Sequence, residues 1–156
     1  EMVKQTILET LPRLKSDDLI SVISFDDEAS VDVPLKTVAE HNMSKVAKTV
    51  AALRDGGSTN LELGYKTALE EAKTTPTGIE TSIILLSDGH ANSGEVSPQV
   101  LGKLATAATE HFISTSTIGI GHSYDENIMS SLADGGNGNH VAAIELVEAI
   151  DGLQTF

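Results

Sequence analysis

The segment from Ser82 to Ser87 constrains the fold most strongly, because its four central residues are aliphatic and it stops abruptly at Asp88 and Gly89. A short apolar run without polar alternation is typical of a strand buried on both faces of a parallel sheet. Helical and strand patterns alternate from this run onward, at about 97–111, 113–120, 125–133, 139–144 and 145–153. This alternation predicts parallel strands joined by right-handed helical crossovers, which is a doubly wound α/β fold.

An antiparallel hairpin is predicted ahead of this region. Residues 19–25 form a β-branched, apolar run, and residues 29–35 alternate between apolar and polar side chains. Three linking residues are too few for a parallel crossover, so the two strands should pair antiparallel. Asp32 and Pro34 mark the second strand as a sheet edge. We therefore expect one domain over residues 1–156, with a mostly parallel sheet, one antiparallel edge strand and helices on both faces.

Three further helices are predicted in the first half of the chain, at about 1–15, 42–54 and 61–75, from apolar residues spaced three and four apart. Gly56 to Asn60 form a loop between the second and third of these helices. Helical periodicity begins almost at Glu1, without a preceding loop or cap. We therefore expect the chain to be a piece of a longer polypeptide.

The charge balance excludes several classes of partner. The chain has 156 residues, with 23 acidic and 10 basic side chains, for a net charge of −13. This charge repels phosphate backbones and anionic membrane surfaces, so neither nucleic acid nor membrane is an expected partner. No apolar run is long enough to span a bilayer, and there is no cysteine for a disulfide or a thiolate metal site. The absence of cysteine fits oxidising and reducing compartments equally.

Asp88 is the first candidate for a functional residue. Ligands of open α/β sheets bind beyond the carboxyl ends of the strands, and Asp88 follows the most hydrophobic strand directly. A carboxylate there suits a hard divalent cation, and the loop containing Thr59 offers a hydroxyl oxygen as a second ligand. The simpler alternatives are that Asp88 only forms a turn and that Thr59 only caps the following helix.

Four stretches together resemble the von Willebrand factor type A domain. They are Gly56–Leu61, Ile83–Gly89, Thr117–Gly121 and the hairpin Ile20–Leu35, and they occur in the family's order over about residues 1–152. The resemblance implies a metal-ion-dependent adhesion site in which Thr59 and Asp88 are metal ligands.

The resemblance also implies a function. The chain would be a protein-interaction module, not an enzyme, with a Mg²⁺, Mn²⁺ or Ca²⁺ ion that coordinates an acidic group of a protein partner. Residues of the surrounding loops would then contact the partner and set its specificity: Ser58, Asn60, His90 and Asn92.

The sequence departs from the family at one place. The remaining ligands of the family come from an Asp-x-Ser-x-Ser loop after a first, central strand, and this chain contains neither. Mg²⁺ requires six ligands and Thr59 and Asp88 supply two, so cation binding depends on ligands from elsewhere. An upstream segment is the favoured explanation. The alternatives are a first strand supplied by another chain or segment, and a sheet closed to five strands.

Two other functions stay open. One is a metal-independent interaction domain with an incomplete site, and the other is a phosphoryl-transfer or hydrolase enzyme with Asp88 as nucleophile or metal ligand. The enzyme is disfavoured because the chain lacks the phosphate-binding loop, the dinucleotide-binding glycine motif and the Gly-x-Ser-x-Gly motif. A zinc site is disfavoured because the histidines are scattered singly along the chain.

Overall fold

The computed structural model describes residues 1–156 and contains every predicted element. The helices are α1 (Met2–Thr10), α2 (Met43–Ala51), α3 (Leu61–Ala72), α4 (Pro98–Thr109), α5 (Glu126–Gly135) and α6 (Leu146–Thr155). The strands are β1 (Leu19–Phe25), β2 (Ala29–Thr37), β3 (Thr81–Ser87), β4 (Ile113–Ile120) and β5 (Asn137–Ala143). None of the helices has both the length and the apolar character that a bilayer crossing requires.

The strands confirm the predicted mixture of parallel and antiparallel pairing. β1 pairs antiparallel with β2, and β3, β4 and β5 pair parallel in that order. The β3–β4 register runs from Thr81 opposite Ile113 to Ser87 opposite Gly119 without a shift. Parallel pairing of this kind requires the intervening helices as crossovers, and α4 and α5 fill that role.

The strands form two separate sheets. β1 and β3 are each paired on one side only, and no main-chain hydrogen bond joins them. A cavity of about 680 Å³ lies between them and is lined along the length of both strands. We call this cavity the interstrand slot. The alternative of a sheet closed to five strands is therefore wrong.

Helices cover both faces of the parallel sheet. One face of β3 and β4 packs against α3, α4 and α5, and the buried residues there include Leu61, Tyr65, Leu101, Ile128 and Leu132. The other face packs against α6 and the start of α1. This arrangement confirms the doubly wound α/β class.

Burial along β3 differs from the sequence prediction. Ile83, Leu85 and Ser87 are buried, whereas Ile84 and Leu86 are half-buried. Ile84 and Leu86 pack against the α6 cluster but also line the interstrand slot, where no neighbouring strand covers them. The open edge of β3 therefore leaves one face of the strand incompletely buried.

Candidate functional site

The loop that contains Thr59 is fastened to the loop after β3 by two hydrogen bonds. The Thr59 N–H donates to Oδ1 of Asn92 at 2.8 Å, and the Asn92 N–H donates to the Thr59 carbonyl at 3.1 Å. These bonds join segments that are 33 residues apart in sequence. They place the α2–α3 loop beside the carboxyl end of β3, as expected for ligand sites of open α/β sheets.

Asn60 fixes the same loop from the other side. Its N–H donates to the Asp26 carbonyl at 2.9 Å, just after the end of β1. Its side-chain Oδ1 accepts from the Leu63 N–H at 3.0 Å and so caps α3. The N-cap residue of α3 is therefore Asn60 and not Thr59. It follows that the carboxyl ends of β1 and β3 meet the same loop, at one edge of the molecule.

The Thr59 hydroxyl lies against the turn that follows β3. A Cβ built on Gly89 would be 3.8 Å from Thr59 Oγ1, which is ordinary contact distance. No hydrogen bond involves the Thr59 hydroxyl or the Asp88 carboxylate. Asp88 is exposed and Thr59 is half-buried. The structure thus places the Thr59 hydroxyl beside the turn that contains Asp88.

Ser87 shapes the Asp88-Gly89 turn, and the sequence analysis did not identify it. Ser87 is buried, its Oγ donates to the Gly89 carbonyl at 3.2 Å, and the Gly89 N–H lies 3.4 Å from the same oxygen. Serine hydroxyls commonly bond to backbone groups two residues away in turns. The sequence signal for this role is the serine directly before the Asp-Gly pair.

Glu62 holds the far end of the loop after β3. Its Oε2 accepts from the Glu95 N–H at 2.7 Å, and its Oε1 accepts from Lys66 Nζ at 2.6 Å. The bond from Lys66, followed by that from Glu95, lowers the pKa of Glu62 below its usual value. Gly94 is required nearby because its φ is +71° and a Cβ there would collide with the Asn60 side chain. The sequence analysis missed Glu62, because its partner is 33 residues away.

The other two residues predicted to contact a partner, Ser58 and His90, lie on the same pair of loops. Ser58 is half-buried and makes no hydrogen bond, and the His90 side chain is 67% exposed. His90 Nδ1 is 3.7 Å from Oδ2 of Asp125, which caps α5. The start of α5 therefore borders the same surface.

Carboxylates from the β1–β2 turn also border this surface. A Cβ on Gly56 would collide with the Asp26 side chain, and one on Gly57 would lie 3.8 Å from Asp27 Oδ2. Because Asp26 and Asp27 lie beside the Thr59 loop, they add negative charge to the edge that carries Asp88.

The donor set suits a hard cation but is incomplete. Hydroxyl and carboxylate oxygens are the ligands that Mg²⁺ and Ca²⁺ prefer, and both Thr59 and Asp88 offer them. No group of three or more His, Cys, Asp or Glu side chains is positioned to hold a metal ion. The residues of this chain therefore fit part of a cation site, and full coordination needs oxygen ligands from outside them.

Sequence comparison identifies the family. The family model described as von Willebrand factor type A domain matches residues 1–156. A protein of uncharacterised function from Synechocystis is 30% identical over 139 residues, which cover 89% of this chain and 32% of that protein. Bovine inter-alpha-trypsin inhibitor heavy chain H3 is 25% identical over 140 residues, covering 85% of this chain and 16% of its own length. The chain thus spans a third or less of both relatives.

Solved structures share the fold. A von Willebrand factor type A structure from Catenulispora acidiphila superposes with a TM-score of 0.81 at 19% identity, covering 99% of this chain and 36% of that one. Proximal thread matrix protein 1 from the mussel byssus, described with a zinc-occupied MIDAS motif, superposes with a TM-score of 0.76 at 17% identity. That match covers 99% of this chain and 41% of the mussel protein. At these identities the likeness establishes the fold alone.

Proposed function

This chain belongs to the von Willebrand factor type A domain family, and from that premise we propose that it binds a protein partner through the surface around Thr59 and Asp88. Domains of this family are generally protein-interaction modules, and the relatives described above are not named as enzymes. The observation that carries the proposal is the uncommitted Thr59 hydroxyl beside the Asp88-Gly89 turn. Two fastened loops hold these groups in place, so the surface is formed before a partner arrives.

The finer proposal is a divalent cation at this surface. Thr59 Oγ1 and the Asp88 carboxylate would hold Mg²⁺, Mn²⁺ or Ca²⁺, with the remaining oxygens supplied by a segment or chain outside these residues. The bound cation would offer a coordination position to a carboxylate of the partner. The structurally related mussel protein is described with a zinc-occupied MIDAS motif, which supports metal binding as a property to test here.

The surrounding side chains would then contact the partner. The side-chain oxygens of Asn60 and Asn92 are occupied by Leu63 and Thr59 N–H groups, so their amide NH₂ groups are the atoms left to donate. An NH₂ donor and an exposed His90 suit an acidic partner group. Asp26, Asp27 and Asp88 repel such a group unless a cation intervenes, which is the electrostatic reason for a metal here.

A metal-independent interaction domain is the second candidate. It is favoured by the absence of any group of three potential metal-binding side chains. In this case the same edge would bind a basic partner directly, because its carboxylates are not neutralised. Metal dependence therefore separates the two candidates.

Thermal unfolding with millimolar Mg²⁺ or Mn²⁺ against excess chelator tests the cation. A ligand at 100 times its dissociation constant stabilises a fold by roughly 2.7 kcal/mol. We expect the metal to raise the melting temperature of the chain, with water in the coordination positions that Thr59 and Asp88 leave open, and Asp88→Asn or Thr59→Val to remove that shift. Glu110→Gln is the matched control. Glu110 is exposed, caps the C-terminus of α4 and is distant in sequence from both Thr59 and Asp88. A melting temperature that does not change with metal would contradict cation binding and favour the metal-independent interaction domain.

A further inference from the structure

We infer that two copies of this chain pair through Phe112, which lies at the end of the sheet opposite Asp88. Phe112 directly precedes β4, whereas Asp88 directly follows the neighbouring strand β3. Because β3 and β4 are parallel and in register, the two residues lie at opposite ends of the same pair of strands. The inference therefore depends neither on the cation nor on the surface around Asp88.

The main chain of Phe112 is held in an unfavourable conformation. Its φ is +59°, in the left-handed region that bulky residues rarely adopt, and a residue in this conformation just after a helix is usually glycine. The Phe112 N–H donates to the Thr109 carbonyl at 3.1 Å, and the Phe112 carbonyl accepts from the Thr81 N–H at 3.0 Å. These two bonds fix the backbone and leave the residue 69% exposed, more than any other large hydrophobic residue of the chain.

Strain and exposure at the same residue indicate a role outside the fold of a single copy. Glycine at this position would adopt the left-handed conformation freely and would expose no apolar ring. Residues in unfavourable backbone conformations are concentrated at functional sites, and aromatic side chains often anchor protein interfaces. Phe112 combines both features, as expected for a residue that contacts another protein.

A cavity of about 350 Å³ lies beside Phe112. The end of α3, the turn before β3 and the segment before β4 line it, and they include Ile79, which is 46% exposed. Ligand pockets range from about 300 to 1,000 Å³, so this cavity is large enough to receive an aromatic side chain. Glu110, His111 and Phe112 line this cavity and do not line the interstrand slot. The surface is therefore distinct from the open edge of β3.

The surface is self-complementary in shape, because it carries an exposed ring and a cavity side by side. In a two-fold symmetric contact the same patch of both copies is used, so the ring of each copy meets the cavity of the other. Since Phe112 itself lines the cavity, the two rings then lie next to each other near the symmetry axis. Neighbouring aromatic rings attract each other in such arrangements.

The surface is also self-complementary in charge. Lys73 at the end of α3 and Glu110 at the end of α4 both line the cavity, and neither forms an ion pair within the chain. A two-fold contact places Lys73 of each copy opposite Glu110 of the other, so the pair forms twice. Their charges cancel, although the chain as a whole carries −13. A second copy is therefore not repelled at this surface, which favours it over a strongly charged partner.

The oligomeric state tests the inference. Sedimentation of the chain is measured from micromolar to millimolar concentration in about 0.15 M salt, where charges more than about 8 Å apart are largely screened. A cooperative thermal melt of the same sample verifies that the chain is folded. We expect a reversible equilibrium between monomer and dimer, and Phe112→Ser should raise the dissociation constant at least about tenfold. A chain that stays monomeric at every concentration would overturn the inference.

A second substitution at the same position separates the interface from the fold. Phe112→Gly should weaken the dimer as much as Phe112→Ser does. The melting temperature of its dilute monomer should not fall, because glycine relieves the left-handed conformation. Measurement at high dilution removes the stabilisation that dimerisation itself contributes. A lower melting temperature of the dilute Phe112→Gly monomer would show that the ring stabilises a single copy, and it would contradict the inference.

Charge reversal tests the two-fold pairing. Lys73→Glu and Glu110→Lys should each weaken the dimer by about threefold or more, and the combined variant should restore it. Both residues are exposed, so neither substitution threatens folding. Val147→Ser is the matched control, because Val147 is an exposed apolar residue of α6 that does not line the cavity. The cation test compares each protein with and without metal, so the oligomeric state of Glu110→Gln does not affect it.

Two further results would contradict the inference. One is a dimer of unchanged affinity in Phe112→Ser, which would place the contact on another surface. The other is a combined charge-reversal variant that stays as weak as the single variants, because Lys73 and Glu110 would then not face each other across the symmetry axis.

Discussion

The phenolic oxygen of Tyr65 lies 2.6 Å from Thr115 Oγ1, and both side chains are completely buried. This bond links α3 to the middle of β4 across 50 residues of sequence. Burial raises the pKa of Tyr65, which keeps the phenol protonated and able to donate. Because Asn60 and Thr59 directly precede α3, the same contact holds the helix that presents the candidate site.

Removing both partners of this bond should cost less than the sum of the two single removals. Tyr65→Phe leaves the Thr115 hydroxyl buried without its partner, and we expect the free energy of unfolding to fall by about 1–2 kcal/mol. Thr115→Val should have a similar effect, and the double variant should be less destabilised than the sum of the two. Urea unfolding of all four proteins measures this coupling. Strict additivity would show that the hydrogen bond contributes nothing.

The Asn92 side chain should control the order of the Thr59 loop. Asn92→Ala removes the acceptor of the Thr59 N–H, so we expect faster amide exchange at residues 58–60 and a loss of about 0.5–1.5 kcal/mol in stability. Asn92→Asp is the matched control because it retains an oxygen acceptor and should keep the Thr59 amide protected. Equal exchange in wild type and Asn92→Ala would show that the two loops are fastened by other contacts.

The bonds of Glu62 predict a pH-dependent contribution to stability. The pKa of Glu62 is lowered in the folded state from its ordinary value of 4.5, so the unfolded chain binds its proton more readily. The stabilisation by Glu62 is therefore complete above pH 4.5 and is lost as the pH falls through the lower pKa of the folded state. We expect Glu62→Gln to lower the melting temperature at neutral pH and to match wild type in strong acid. A difference that is constant with pH would contradict this assignment.

Local periodicity was enough to predict the helices and strands. The spacing of apolar residues predicted α3 and α5 to within a few residues, and the three-residue link between β1 and β2 correctly predicted their antiparallel pairing. Pro12 explains why α1 ends in a short 3₁₀ turn at Leu11–Arg13. These features depend on neighbours within a few positions, so one sequence contains the information.

The candidate site was predicted only in part. Asp88 was identified because it follows a buried strand directly, and Thr59 was identified as a ligand through the resemblance to the family. Glu62 and the side-chain acceptor role of Asn92 depend on partners 33 residues away, and no local pattern encodes such a pairing. The separation of β1 from β3 agrees with the absence of the family's first, central strand, which was noted from the sequence.

His140 is part of a half-buried hydrogen-bond chain that fixes its tautomer. Thr117 Oγ1 donates its hydrogen to the Met129 carbonyl at 2.9 Å, so it must accept from His140 Nδ1 at 2.8 Å. With the proton on Nδ1, Nε2 accepts from the Tyr124 hydroxyl at 3.1 Å. The neutral ring thus satisfies both neighbours, and nitrogen NMR should show the Nδ1-protonated form at neutral pH.

The same environment predicts that acid destabilises the fold through His140. Desolvation lowers the pKa of His140 below 6.5, and the nearby Glu126 and Asp134 oppose the shift only in part. The unfolded chain therefore takes up the proton at higher pH than the folded one, so stability is complete above 6.5 and declines as the pH falls toward the folded pKa. We expect His140→Gln to remove this part of the pH dependence while losing some stability at neutral pH, because its amide cannot reproduce both ring contacts. Melting temperatures between neutral pH and pH 5 measure the difference, and a wild-type profile parallel to that of His140→Gln would contradict the role assigned to burial of the ring.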